Sequence, residues 1–398
     1  MIYLDNNATT PCDPKVVEAM LPYFYEQPGN AASRNHAMGW LAEDAVKTAR
    51  QQVANLIGAE TKEVIFTSGA TESDNLAVLG TLEQYRRKGN YLITLKTAHK
   101  AVLDACARAE QLGAEATYLN VQRDGLVDLS ELEAAIRPDT VLVSIMWGNN
   151  ETGVLQPMAE IGALCDKHGT LLMSDATQVV GKLPCHPREA GVHLMAFSAH
   201  KMYGPKGVGG LYVSRRQPKV SVAAQVHGGG HEQGLRPGTL NVPGIVGFGK
   251  AAALAKEQME KEAQRLRPLR DQLEQQLLRE VPQAFLNGHP EHRLPHVSNI
   301  AFPFTESETV MMRFAQELAL SSGSACTSAS VEPSHVLRAM GLTAEEAHSS
   351  LRFSLGRFTR AEDIGRAVEL VKKAVSAARA ASPVWERYLS EASPQQGQ

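Results

Sequence analysis

Cysteine is scarce in this chain, and the five present (Cys12, Cys106, Cys165, Cys185 and Cys326) are odd in number and show no C-x-x-C spacing. That pattern fits neither a disulfide framework nor a zinc site, so reduced thiols and no resident metal are expected. Charge of one sign is equally lacking. The formal net charge is -3 and no long basic run occurs, which argues against direct nucleic-acid binding. Nor is there an apolar stretch near the ~18 residues needed to cross a bilayer. Met1-Ile-Tyr-Leu-Asp5 lacks the basic and apolar regions of a secretory signal. No membrane association and a cytoplasmic location are therefore expected. What is present is enough apolar material, 43% of 398 residues, for the cores of two or three domains.

From about residue 40 to 215, helical and extended patterns alternate as a helix-covered parallel sheet requires. An amphipathic helix runs from Leu41 through Ala45, Ala49, Val53 and Leu56 to Gly58. Strands are expected at 63–67, 91–95, 116–119, 141–145, 170–173, 194–197 and 210–213. Periodicity fades around Val226-His-Gly-Gly-Gly-His231, and a long helical stretch begins near Ile245. A domain boundary is placed near residue 260. The chain thus reads as a large α/β domain over 15–260 and a smaller α+β domain formed by 1–14 and 261–398. Within the latter, a strand is expected near 297–302 and helices near 307–318 and 361–381.

Lys201, in Phe197-Ser-Ala-His-Lys201, and Asp175, closing the apolar run Leu171-Leu-Met-Ser-Asp175, suggest pyridoxal phosphate. An amine forms a Schiff base with the aldehyde while a carboxylate holds the proton on the pyridine nitrogen. At ~4 Å and an effective dielectric of about 20, that carboxylate contact is worth up to roughly 4 kcal/mol, about three pKa units. A solvated lysine and a turn-capping aspartate are the plain alternative.

Thr67-Ser-Gly-Ala-Thr-Glu-Ser73 follows a strand and opens a helix, where free N–H groups attract a phosphate, although Ser68 as a simple cap explains the same residues. It lacks the lysine of a Walker loop and the G-x-G-x-x-G of a dinucleotide site. His99, just past a strand, could stack on a cofactor and move protons, or be a loop histidine satisfied by backbone. Asn150 and Gln178 put amides at the same sheet edge. Cys326 stands in Ser321-Ser-Gly-Ser-Ala-Cys-Thr-Ser-Ala-Ser330, small and polar surroundings that favour an exposed nucleophile over a buried structural thiol. Mobility of this loop, about 321–333, would be functional, since the stretch could span up to ~40 Å and reach both an internal site and a partner. Arg352 offers a fork for a substrate carboxylate, with Arg357 a weaker candidate and surface pairing the alternative for both.

Asp5-Asn-Asn-Ala-Thr-Thr-Pro11, Thr67-Ser-Gly-Ala-Thr-Glu-Ser-Asp-Asn75, Ser198-Ala-His-Lys201, Arg236-Pro-Gly-Thr239 and Ser322-Gly-Ser-Ala-Cys-Thr-Ser328 together resemble the cysteine desulfurases of the NifS/IscS type, over nearly the whole chain. The Cys326 loop is similar to that of the group with the longer cysteine loop. The resemblance implies the pyridoxal phosphate fold type I, a large domain with a mostly parallel sheet plus a smaller α+β domain. It implies Lys201 as the Schiff-base lysine, Asp175 on the pyridine nitrogen, His99 on the ring, and Gln178 with Asn150 near the ring hydroxyl. Ala70, Thr71, Ser198 and His200 would bind the phosphate, and Arg352, with Asn150, the substrate carboxylate. Thr239 matches a residue donated across a twofold homodimer. The chain departs from the family pattern at Ala31, Ala199, Pro237 and Trp147-Gly148 without losing a reacting group.

The activity implied is conversion of L-cysteine to L-alanine, with the sulfur held as a Cys326 persulfide and passed to an iron-sulfur scaffold protein or to tRNA thiolation. Cys326 could ligate a cluster during that transfer. A selenocysteine lyase or aminotransferase of the same fold, or a non-catalytic sulfur-relay subunit, are the alternatives. Pro383-Val-Trp-Glu-Arg-Tyr388 resembles the family's scaffold-docking end, though packing accounts for its aromatics equally well.

Overall fold

A computed structural model describes residues 1–216, 219–322 and 332–392. Its centre is a seven-stranded sheet in the order Val64–Thr67, Gly209–Val213, Leu194–Ser198, Leu171–Asp175, Thr140–Ser144, Tyr91–Leu95 and Glu115–Leu119. Gly209–Val213 runs antiparallel to both neighbours, and the other pairings are parallel. All seven strands lie within two residues of the expected positions. They were legible because a strand covered on both faces reads as a near-continuous apolar run. Leu194–Ser198 shows the arrangement: Met195 and Phe197 enter one core and Leu194 and Ala196 the other.

One face is covered by the helices Ala37–Ile57 and Met158–Lys167 and by the start of Val242–Glu280; the other by Ala70–Gln84 and Lys100–Gln111. The Ala37–Ile57 helix begins where His36 accepts a hydrogen bond from Gly39 N–H and stops at Gly58, whose φ of 65° is left-handed. Ala42, Val46, Ala49, Val53 and Leu56 form its buried stripe. Leu41, expected on that stripe, is exposed instead.

The boundary near residue 260 falls within one continuous helix, Val242–Glu280. Its first half packs Val242, Ile245, Phe248, Ala252 and Ala255 against the large sheet, and its second half sends Leu266, Leu273 and Leu277 into a separate core. That core also holds Leu4, the helix Ala361–Ala380, and an antiparallel sheet of Ser350–Ser354, Val297–Ala301 and Phe285–Leu286. The helix expected over 307–318 ends at Met312, and Leu318–Ala319 pairs in parallel with Ile2–Tyr3. A short partner strand from the far end of the chain overrides local helical spacing there. Trp385 and Tyr388 stack on each other and on Phe304, so packing does engage these aromatics.

Candidate active site

The carboxyl ends of the parallel strands, where ligands collect in α/β sheets, open into a cavity of about 490 Å³. Of the residues singled out from the sequence, Ala70, Thr71, His99, Asn150, Asp175, Gln178, Ser198, His200, Lys201 and Arg352 all line it. Thr239 does not line the cavity of its own chain; it is exposed. Cys326 lies outside the described residues.

Each wall has a local cause. Asp175 ends a fully buried strand, and its Oδ1 accepts from Thr177 N–H at 2.9 Å. His99 is the N-cap of Lys100–Gln111, its Nδ1 accepting from Ala101 N–H at 3.1 Å, which leaves any ring proton on Nε2. Burial lowers the pKa of that imidazole; Asp175 opposes the shift and Lys201 adds to it. Ala70 and Thr71 open the helix Ala70–Gln84, with Gly69 as its N-cap. The cup closes from behind through Gly209, where a side chain would meet the Gly69 backbone at 2.7 Å. His200 Nδ1 lies 3.1 Å from Thr9 Oγ1, and burial, Lys201 and Lys206 push its pKa down to about 4, so the ring is neutral near pH 7.

Lys201 Nζ donates to the carbonyls of Asn7 at 2.5 Å and Ala8 at 2.8 Å. Arg352, buried in the Ser350–Ser354 strand, donates through Nη2 to Asp5 Oδ1 at 2.8 Å and through Nη1 to the Asn150 carbonyl at 3.0 Å. The departure at Gly148 has a steric reason, because a Cβ there would meet Val179 Cγ2 at 2.7 Å.

Asn7, Ala8, Thr9, Met146, Thr177, Glu72, Lys206 and Gly207 also line the cavity and were not expected from the sequence as site residues. Of these, Asn7, Ala8 and Thr9 sit in the quoted Asp5–Pro11 motif, which was the available signal. A pyridoxal phosphate group fits what is here. Asn150 Oδ1, Thr177 Oγ1 and Arg352 Nε are buried on the walls with no hydrogen-bond partner. Leaving such atoms unmatched costs about 1–3 kcal/mol each, so a polar guest is called for. A helix N-terminus for an anion, a carboxylate and an amine complete the donor set.

The class-V aminotransferase family profile matches residues 2–366. The chain belongs to that family, whose cofactor is pyridoxal phosphate. Within it the chain is similar to the cysteine desulfurases IscS of Photorhabdus laumondii and Escherichia coli, each 54% identical over 97% of this chain and 96% of the relative. Among solved structures, a NifS-like protein has a TM-score of 0.88 at 34% identity, covering 94% of this chain and 99% of its own. A second, described as SspA in complex with cysteine, has a TM-score of 0.79 at 35% identity, covering 90% and 100%. The likeness to the NifS/IscS desulfurases drawn from the motifs therefore holds, as does the α/β fold with its mostly parallel sheet.

Proposed function

We propose that this enzyme is a cysteine desulfurase in which L-cysteine and the Cys326 thiol yield L-alanine and a Cys326 persulfide. The observation that carries the reading is the single cavity in which Lys201, Asp175, His99 and Arg352 meet beside unmatched buried polar atoms. Bound there, the cofactor supplies an electron sink for charge developing at the substrate α-carbon. Asp175 would hold the ring nitrogen's proton, His99 would serve the ring, and Gln178 with Asn150 would serve its hydroxyl. Ala70, Thr71, Ser198 and His200 take the phosphate through backbone N–H groups and neutral side chains. Arg352, already set by Asp5, and Asn150 take the substrate carboxylate.

The Lys201 amine removes the α-proton. The Cys326 thiolate then attacks the substrate sulfur; the carbon–sulfur bond breaks, a sulfur–sulfur bond forms, and the carbon skeleton is reprotonated and leaves as alanine. Three of the other four thiols support this assignment by their surroundings: burial pushes Cys106 and Cys165 up to about 12 and Cys185 higher still. Such thiols are poor nucleophiles at neutral pH.

We further place residues 15–260 in a cofactor-binding part and 1–14 with 261–398 in a smaller part carrying the cysteine. The active form in this reading is a homodimer, in which each copy's exposed Thr239 completes the other's site. The persulfide passes to an iron-sulfur scaffold protein and to other sulfur acceptors such as the tRNA thiolation system, in the cytoplasm. The helix Pro383–Ala392, which leaves Val384 and Leu389 exposed, is the scaffold's contact. Among the described residues no helix is long and apolar enough to cross a membrane. Purified enzyme given L-cysteine and an excess of dithiol, which reduces the persulfide and is itself oxidised to a disulfide, should produce alanine and sulfide in equal amounts; with Cys326→Ala, sulfide production should stop while the cofactor's visible absorbance stays. Full sulfide output from that variant would refute the reading.

A further inference from the structure

The reaction as described gives no part to Asn7 or His296, yet both are 1% exposed and joined at the floor of the site. Every polar atom of Asn7 is committed. Its N–H donates to Ser354 Oγ at 2.9 Å, and its carbonyl accepts from Lys201 Nζ at 2.5 Å and from Gln178 Nε2 at 3.0 Å. Its Nδ2 donates to the Asn150 carbonyl at 3.0 Å, the same oxygen that takes Arg352 Nη1. Its Oδ1 lies 3.1 Å from His296 Nε2. One residue thus touches Lys201, Gln178 and Asn150, and reaches Arg352 through a shared acceptor.

Because Nδ2 faces a carbonyl, Oδ1 can only accept, and His296 must carry its proton on Nε2. The other tautomer would set two lone pairs against each other. A turned amide would instead set Asn7 Oδ1 against the Asn150 carbonyl. Burial, with Lys182 and Arg270 nearby, holds the imidazole well below its ordinary pKa, so a neutral ring with one N–H is the form present.

We infer that Asn7 and His296 are positioning residues: the His296 N–H fixes the Asn7 amide, and Asn7 in turn fixes the Asn150 carbonyl beside Arg352 and parks the Lys201 amine whenever it is not bonded to the cofactor. This rests on the desulfurase reading for the identity of the substrate, and not for the contacts themselves. Without the N–H the amide is free to turn, so the Asn150 carbonyl beside Arg352 loses its donor, and the peptide whose main-chain carbonyl holds Lys201 loses the side-chain anchor that fixes it.

Two variants separate positioning from packing. His296→Gln keeps an N–H near the Nε2 position, whereas His296→Leu keeps bulk without a donor. Each is compared with wild type for KM and kcat in cysteine-dependent alanine production, for the rate at which cofactor-stripped protein regains visible absorbance on adding pyridoxal phosphate, and for Tm. The Leu variant should raise KM about fivefold and slow cofactor recapture by about the same factor, as loss of one buried hydrogen bond implies. The Gln variant should recover most of both. Leu and Gln variants that behave alike, or an effect confined to Tm, would overturn the inference. Should the Leu variant fail to fold, Asn7→Asp keeps the acceptor for His296 and loses the donor to Asn150. Its KM should rise about fivefold, and an unchanged KM would overturn the inference equally. A wild-type enzyme that makes no alanine would instead sink the desulfurase reading, leaving cofactor recapture to decide the role of Asn7.

Discussion

Arg352 shows at the level of one side chain how much is settled before any substrate arrives. Asp5 and the Asn150 carbonyl hold its guanidinium, and Nε remains buried without a partner. A lysine there would keep the charge and lose the fork, so Arg352→Lys should cost about 1.5–3 kcal/mol of carboxylate binding, a KM increase on the order of tenfold or more. Steady-state kinetics with L-cysteine checks this, and an unchanged KM would remove Arg352 from carboxylate recognition. Lys201→Ala should abolish the pH-dependent visible band of the bound cofactor; a retained band would mean that another amine carries the link. Lys201 and Asp175 were legible because reactive groups in glycine-rich or strand-end settings stand out locally. Asn7 was legible only as a member of the Asp5–Pro11 motif: its role lies in contacts to residues far along the chain, which no local pattern encodes.

At the level of elements, strand ends and helix starts make the site, and these were the readable parts. The seven buried strands announce themselves by composition, and the Thr67–Ser73 segment by a strand, a glycine and a helix start in succession. The loop 149–151 was readable only as amides. Its Glu151 is buried, and Ser334, N-cap of the helix His335–Ala339, donates to Glu151 Oε2 at 2.5 Å. Burial pushes the Glu151 carboxyl from 4.5 up to about 7. Folding therefore takes up a proton between those values, so stability falls as pH rises through that window and the deficit persists above it. Glu151→Gln cannot ionise. Its stability relative to wild type should climb by about 3 kcal/mol at most from roughly pH 4.5 to 7 and then level off. Urea unfolding across that range measures it, and a constant difference between the two proteins would contradict the buried acid.

The whole molecule joins the core on one face of the large sheet to the core of the smaller sheet through one helix, Val242–Glu280, and through the N-terminal segment. Asn6 N–H bonds the Ser354 carbonyl in the smaller core at 3.2 Å, and Thr10 N–H bonds the His200 carbonyl beside Lys201 at 2.9 Å. The site therefore lies where the two parts meet, and Arg352 reaches it from the smaller one. Composition could announce two cores. Leu266, Leu269, Leu273 and Leu277 continue the helical spacing that begins near Ile245, so the helix itself was legible; that its two halves would serve different cores was not, because spacing does not say which core a stripe enters. The decisive observation is a single turnover: wild-type enzyme mixed with stoichiometric L-cysteine, quenched, digested, and the Cys326 peptide weighed. One added sulfur atom on that peptide, appearing together with one alanine and absent from Lys201→Ala, is the predicted result. Alanine formed with the Cys326 peptide unchanged throughout would contradict the mechanism.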